Sequence, residues 1–132
     1  MKDGQSKKIK IGQEFLSENE AMSRALEYHK AGDFQSAEII YRKIYVQNPR
    51  CAGAPHLSGL IQYHFGDFAA AAKSLRRAIA LDDSLPHYHY NLGLIYLDEG
   101  KKAEAGECFQ KALALDGNYQ SARIMLLETK TL

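Results

Sequence analysis

Residues 85–116 read LPHYHYNLGLIYLDEGKKAEAGECFQKALALD, and this stretch decides the fold. Apolar side chains recur three and four apart on both sides of Gly100, the pattern of two amphipathic helices over residues 86–99 and 101–115. Thirty-four residues earlier, Gly66, Ala71, Leu75 and Ala78 stand where Gly100, Ala105, Phe109 and Ala112 stand. One period further back, Gly32, Ala37, Tyr41, Ile44 and Pro49 fall in the same frame. A single helical hairpin can match by chance, but three at a fixed period point to a tandem array.

Leu92, Gly93 and Tyr96 in one helix, with Ala105, Phe109 and Ala112 in the next, resemble the tetratricopeptide repeat, sketched as W-x2-L-G-x2-Y, then A-x3-F, then P. His89 fills the W slot and Gly117 the P slot. The resemblance implies an all-α fold, a right-handed α-solenoid of three helix-turn-helix repeats closed by a capping helix. Small Gly93 and Ala105 are placed where paired helices approach closely, and Tyr96 and Phe109 are the large side chains beside them. One hairpin cannot bury its apolar faces alone, so stacked neighbours are required. The repeats fall at about 18–51, 52–85 and 86–119, within an array over 17–131 whose last helix covers 119–131. Residues 1–16 are basic, lack helical periodicity and are expected to be mobile.

Local signals agree with this frame. Ser17 and Glu20 have capping-box spacing, with Leu16 placed as a hydrophobic staple. Asp33 and Asp67 follow turn glycines and are expected to cap second helices, and Pro55 sits in a first turn. Arg24 occupies the slot that Leu92 fills in the third copy and is expected to be solvated. Ser58 and Gln62 in the second copy predict a thinner core between the first two repeats, whereas Gly59 keeps the close-approach role. Arg123 and Lys130 give the last helix a polar outer face, so it reads as a lid, with both ends of the array finished.

Composition removes several function classes. The chain has 17 basic and 16 acidic residues, so no net field draws it to nucleic acid or membrane. The run Lys7, Lys8 and Lys10, and the outward Lys73, Arg76 and Arg77, read as solvated surface. No apolar run approaches the ~18 residues of a membrane span. With no hydrophobic leader and two unpaired cysteines, Cys51 and Cys108, the chain is expected in the cytoplasm. His87 and His89 lie two apart on a helix and point in different directions, so no metal site is expected. No nucleophile with an oriented base, phosphate loop or ligand cluster is evident, so neither catalysis nor a cofactor is expected.

Stacked hairpins curve, and in the resembling family partner peptides or helices lie on the concave surface of the first helices. Carried over slot by slot, that surface would be Met22, Leu26 and His29, then His56, Leu60, Tyr63 and His64, then His87, Tyr90, Asn91 and Leu94, with Asp98 at its edge. The side chains are apolar and aromatic with neutral polar edges. Repeats that hold acidic carboxyl-terminal tails of heat-shock chaperones carry cations here, but this chain has Met22, Leu26, Leu57, His87 and Asn91, which cannot pair with a carboxylate. Repeats of O-linked sugar transferases carry an inward asparagine in each copy, and only Asn91 matches. The expected function is a non-enzymatic protein–protein interaction adaptor or scaffold binding an amphipathic helix or apolar peptide. Two other readings stay open: an accessory region that positions substrates for a larger glycosyl- or methyltransferase, and a self-association module.

Overall fold

The computed structural model describes residues 7–131. Two short strands, β1 (Ile9–Ile11) and β2 (Glu14–Leu16), precede seven helices: α1 (Glu18–Lys30), α2 (Phe34–Gln47), α3 (Gly53–His64), α4 (Phe68–Leu81), α5 (Pro86–Asp98), α6 (Lys102–Leu115) and α7 (Gln120–Thr131). Each helix packs on the next, and α3 also touches α5 directly, so the chain is an α-solenoid.

The turn inside each repeat has one physical design. Gly32, Gly66 and Gly100 have φ of 84°, 81° and 80°. This left-handed region carries a steric penalty for a side chain, and glycine avoids it. The amides of the next residues close the helix end: Asp33 N–H donates to Tyr28 O at 2.9 Å, Asp67 N–H to Gln62 O at 2.9 Å, and Lys101 N–H to Tyr96 O at 2.8 Å. This is the Schellman arrangement, which satisfies carbonyls the helix leaves unpaired. Asp33 and Asp67 then serve a second purpose, accepting from Ser36 N–H and Ala70 N–H to cap α2 and α4. Lys101, in the same place, provides no side-chain cap for α6.

Between repeats a second device recurs. Asn48, Asp82 and Asp116 each turn a side-chain oxygen onto the amide two residues on, of Arg50, Ser84 and Asn118, at 3.0–3.1 Å. These Asx turns, thirty-four residues apart, redirect the chain into the next first helix. The core lies in three clusters along the array, with Tyr41, Leu75 and Phe109 fully buried at equivalent positions. Gly59 and Gly93 sit where the paired helices nearly touch. A Cβ on Gly93 would lie 2.5 Å from Phe109 Cε1, and one on Gly59 would overlap Leu75 Cδ2.

Three expectations need correction. Residues 9–16 are not an irregular arm: Ile9 pairs with Leu16 and Ile11 with Glu14 across an antiparallel hairpin, turned at Gly12 with φ 62°. Ile9 and Leu16 are buried in the first core cluster, which holds the hairpin against α1 and α2. Residues 1–6 lie outside the described residues. Arg24 is not simply solvated, because its guanidinium forks onto Glu14 of β2 at 3.1 and 3.2 Å. The hairpin thus packs against both helices of the first repeat. The outer face of α7 is not purely polar either, since Ile124 and Leu127 are 54% and 59% exposed beside Arg123 and Lys130. Lys73, Arg76 and Arg77 are exposed, as expected, and two of them also make contacts: Arg76 donates to the Tyr96 hydroxyl at 3.0 Å and Arg77 lies over the Tyr45 ring.

The capping box stands as expected, with Ser17 Oγ accepting from Glu20 N–H at 3.1 Å and Glu20 Oε1 from Ser17 N–H at 2.8 Å. Ser58 and Gln62 line a cleft of about 220 Å³ together with Tyr41 and Tyr45 of α2. A larger cleft of about 420 Å³, lined by Ile79, Leu92 and Tyr96, lies at the next junction, so the cleft beside Ser58 and Gln62 does not mark the first junction as the thinner one.

Candidate binding groove

The first helices, α1, α3 and α5, form one side of the array, and polar bridges brace α3 against α5. Asn91 Nδ2 donates to His56 Nε2 at 3.0 Å. The His56 ring stacks on Tyr88 with centroids 4.4 Å apart and meets His87 edge-on at 5.2 Å. His56 is only 7% exposed. Burial, with His87 and His29 adding to it, pushes its pKa down to about 4. The ring is therefore neutral near pH 7, which suits an Nε2 that accepts rather than donates. Further along, Tyr63 Oη donates to Asp98 Oδ2 at 2.5 Å. Burial first, and the Asp98 carboxylate second, raise the Tyr63 phenol to about 12, so it keeps its proton.

At the turn end of α1, His29 Nδ1 lies 2.9 Å from the Tyr41 hydroxyl and its ring meets Phe34 edge-on at 5.4 Å. Burial lowers the His29 pKa, with His64 second. His64 packs on the other side of Phe34 at 4.5 Å, and Phe65 completes the group at 5.7 Å. Phe34 and Phe65 lie outside the repeat signature, so slot-by-slot reading missed them. The aromatic at the start of the second helix in the first two repeats, Phe34 and again Phe68, was the available signal for Phe34, whereas the third repeat has Lys102 there.

The eleven positions expected on the concave face, taken with Asp98 at its edge, separate into local groups. His56, His87 and Asn91 come together, as do Tyr63 with Asp98 and His29 with His64 around Phe34. Met22, Tyr63, Tyr90 and Leu94 pack against core clusters, with Tyr90 also facing Tyr119 at 5.2 Å. Leu26 and Leu60 are half-buried and belong to none of the three clusters among the described residues. Within this set Asp98 is the one charged side chain. Among the described residues, no group of three or more His, Cys, Asp or Glu is placed to hold a metal ion, and no helix is long and apolar enough to cross a membrane.

A family model described as Tetratricopeptide repeat matches residues 22–86 and again 56–122. Superkiller complex protein 3 of Homo sapiens is 33% identical over 98 residues, which cover 70% of this chain but 6% of that protein. The chain therefore spans a small part of that relative. Among solved structures, the first TPR of Spaghetti bound to an HSP90 peptide superposes with a TM-score of 0.82 at 21% identity, over 86% of this chain and 90% of that one. The O-GlcNAc transferase of Thermobaculum terrenum gives 0.79 at 31% identity, over 85% of this chain and 22% of the other.

Proposed function

The chain belongs to the tetratricopeptide repeat family, and we propose that it is a non-enzymatic adaptor whose inner face holds an amphipathic helix or apolar peptide of a partner protein. The observation that carries this reading is the pair Leu26 and Leu60. Both are partly exposed on first helices and neither belongs to a core cluster, so each has some apolar surface that a visitor could cover. Neutral polar groups flank them, His29 and Tyr63 among them. The binding face we propose comprises Met22, Leu26, His29, His56, Leu60, Tyr63, His64, His87, Tyr90, Asn91 and Leu94. Within it, the leucines supply contact area and the braced histidines and tyrosines supply shape.

Burial of two or three large partner side chains contributes roughly 1.5–3 kcal/mol each. Association entropy offsets several kcal/mol of this. A micromolar affinity, near −8 kcal/mol, therefore requires the partner to bury more than those two or three side chains. The absence of cations at Met22, Leu26, Leu57, His87 and Asn91 favours an apolar guest over an acidic carboxyl terminus. Free thiols at Cys51 and Cys108 fit a reducing compartment such as the cytoplasm.

The test is affinity capture with wild type, Leu26→Glu and Leu60→Glu, with helicity checked by circular dichroism. Tyr90→Glu is unsuitable because that ring packs in the third core cluster. A partner retained by wild type and lost from both folded variants supports the groove, and a partner retained by all three rejects it. A second reading, an accessory region positioning substrates for a glycosyltransferase, draws on the 31% identity to part of the O-GlcNAc transferase. It requires a catalytic domain in the same open reading frame. Self-association through the same face would appear as concentration-dependent sedimentation abolished by Leu60→Glu.

A further inference from the structure

We propose that the chain carries a second docking surface, the groove between β1 and α2, and that its occupant is an acidic peptide segment with interleaved apolar side chains from a partner protein. The groove encloses about 530 Å³, on the scale of a ligand site. Its apolar floor combines buried Ile9 with Ile39, 49% exposed, and Val46, 75% exposed. Four cations rim it, Lys8, Lys10, Arg42 and Lys43, and no carboxylate lines it.

The cations are held in place without losing their charge to the groove. Lys43 Nζ donates one hydrogen bond to the Lys10 carbonyl at 2.9 Å, which ties β1 to α2 and leaves its charge in the groove. Lys10 Nζ rests 5.8 Å from the Phe15 ring centroid on the hairpin. Arg42 is shared with Glu38, one turn back at 3.5 Å. In a chain with a net charge of +1, this gathers positive charge around an apolar strip. Carboxylates of a partner would meet the rim through charge-assisted bonds while its apolar side chains covered Ile39 and Val46.

The same observations disfavour other occupants. A bilayer is broad, whereas the apolar floor here is a recess between a strand and a helix. Single-stranded nucleic acid is held by aromatic stacking, and the groove lining contains no aromatic side chain. The surface exists only because the hairpin docks on the first repeat, so the hairpin forms one wall of the site. It is separate from the inner face, and either can fail without the other.

The test pans a display library of peptides about twelve residues long on the full chain, with counter-selection on a Val46→Asp/Lys10→Glu variant of unchanged helicity. Selected peptides are then measured by fluorescence anisotropy at about 50 and about 300 mM salt. The expected result is a consensus of Asp or Glu interleaved with apolar residues. Binding should weaken roughly tenfold or more in each of Val46→Asp and Lys10→Glu, fall as salt rises, and stay within about twofold in Leu60→Glu. Three results overturn the proposal: no peptide that prefers wild type over the counter-selected variant, a consensus without acids, or loss of binding in Leu60→Glu with retention in Val46→Asp. Phosphatidylserine vesicles or a uridine oligonucleotide binding more tightly than every selected peptide, with the same sensitivity to Lys10→Glu, would overturn it as well.

Discussion

Replacing Gly93 by alanine sets two opposed effects against each other. Alanine in a helix interior is favoured over glycine by about 1 kcal/mol. The new Cβ would lie 2.5 Å from Phe109 Cε1 and 2.9 Å from Cδ1 and Cζ. The Phe109 ring is 0% exposed, so it has no solvent-facing route of retreat. Overpacking a filled core costs about 1–3 kcal/mol, and three ring atoms at such distances place this site at the upper end. The net expectation is destabilisation by about 2 kcal/mol, a fall in Tm of roughly 6–10 °C for a chain of this size. Gly106 provides the control of opposite sign. Its nearest neighbours would be Thr129 Oγ1 at 3.7 Å and Leu126 Cδ1 at 4.0 Å, so Gly106→Ala meets only ordinary contacts. That variant should gain about 0.5–1 kcal/mol. Guanidinium unfolding monitored by circular dichroism and tyrosine fluorescence measures both, with coincident transitions as the check on two-state behaviour. A double variant with Phe109→Leu should recover part of the Gly93→Ala loss, because the clashing ring edge is gone. If Gly93→Ala equals or exceeds wild type in stability, the close approach of α5 and α6 is not what fixes glycine there.

Three further perturbations each act on a single contact. The His56 pKa is about 4 when folded, against an ordinary value near 6.5. Its neutral form is therefore favoured by folding, stability is full above ~6.5, and about 3 kcal/mol is lost as pH falls from there towards ~4. His29 and His87 shift in the same direction through burial, so His56→Gln should flatten the pH dependence of unfolding between those limits without abolishing it. Removal of the Arg24 fork should free the hairpin first: in Arg24→Ala, amide exchange should rise at residues 9–16 before it rises in α5 and α6, and uniform protection would count against that. Lys101→Asn supplies the cap that Asp33 and Asp67 provide elsewhere, so thermal unfolding should show a gain of up to about 1 kcal/mol.

The helices and their order were legible because the needed residues are chemically constrained. Only glycine enters the left-handed turn easily, so Gly32, Gly66 and Gly100 had to recur, and small side chains had to recur opposite Tyr41, Leu75 and Phe109. The Asx turns were equally periodic at Asn48, Asp82 and Asp116, but Asp82 reads as an ordinary loop acid without its hydrogen bond to Ser84. The hairpin was obscure for a different reason. Its strands are three residues each, and Ile9, Ile11 and Leu16 carry too little pattern to stand out from the surrounding lysines. What holds it is tertiary, the first core cluster and Arg24, and neither leaves a local signature. The proposed inner face follows from the repeat frame as positions but not as roles. Leu26 and Tyr90 both stand on first helices, yet Tyr119 covers Tyr90 and Leu26 joins no core cluster. That distinction depends on which neighbouring element packs against each repeat, which a repeat pattern cannot state.

The junction between the first two repeats bears on how an inner-face ligand would act. Ala54, Ile61 and Leu57 of α3 join the first cluster, but Ser58 and Gln62 turn polar groups towards Tyr41 and Tyr45 across the cleft. Gln62 spends its side-chain oxygen on Ser74 within its own repeat rather than on α2. Both junctions have leucine and isoleucine packing, and the second and third repeats are joined in addition by the bridges from His56 to Asn91 and from Tyr63 to Asp98. Leu26 and Leu60 stand on opposite sides of the first junction, which lacks such bridges among the described residues. A ligand that covers both leucines therefore adds apolar contact across it, and by mass action it stabilises the first repeat against opening by RT ln(1 + [L]/Kd). Filling the junction by other means should act in the same direction. Ser58→Leu, which restores the side-chain type that Leu92 supplies in the third repeat, should slow amide exchange in α1 and α2 relative to α6. If exchange in α1 and α2 is unchanged in a folded Ser58→Leu variant, the cleft is not where the array opens.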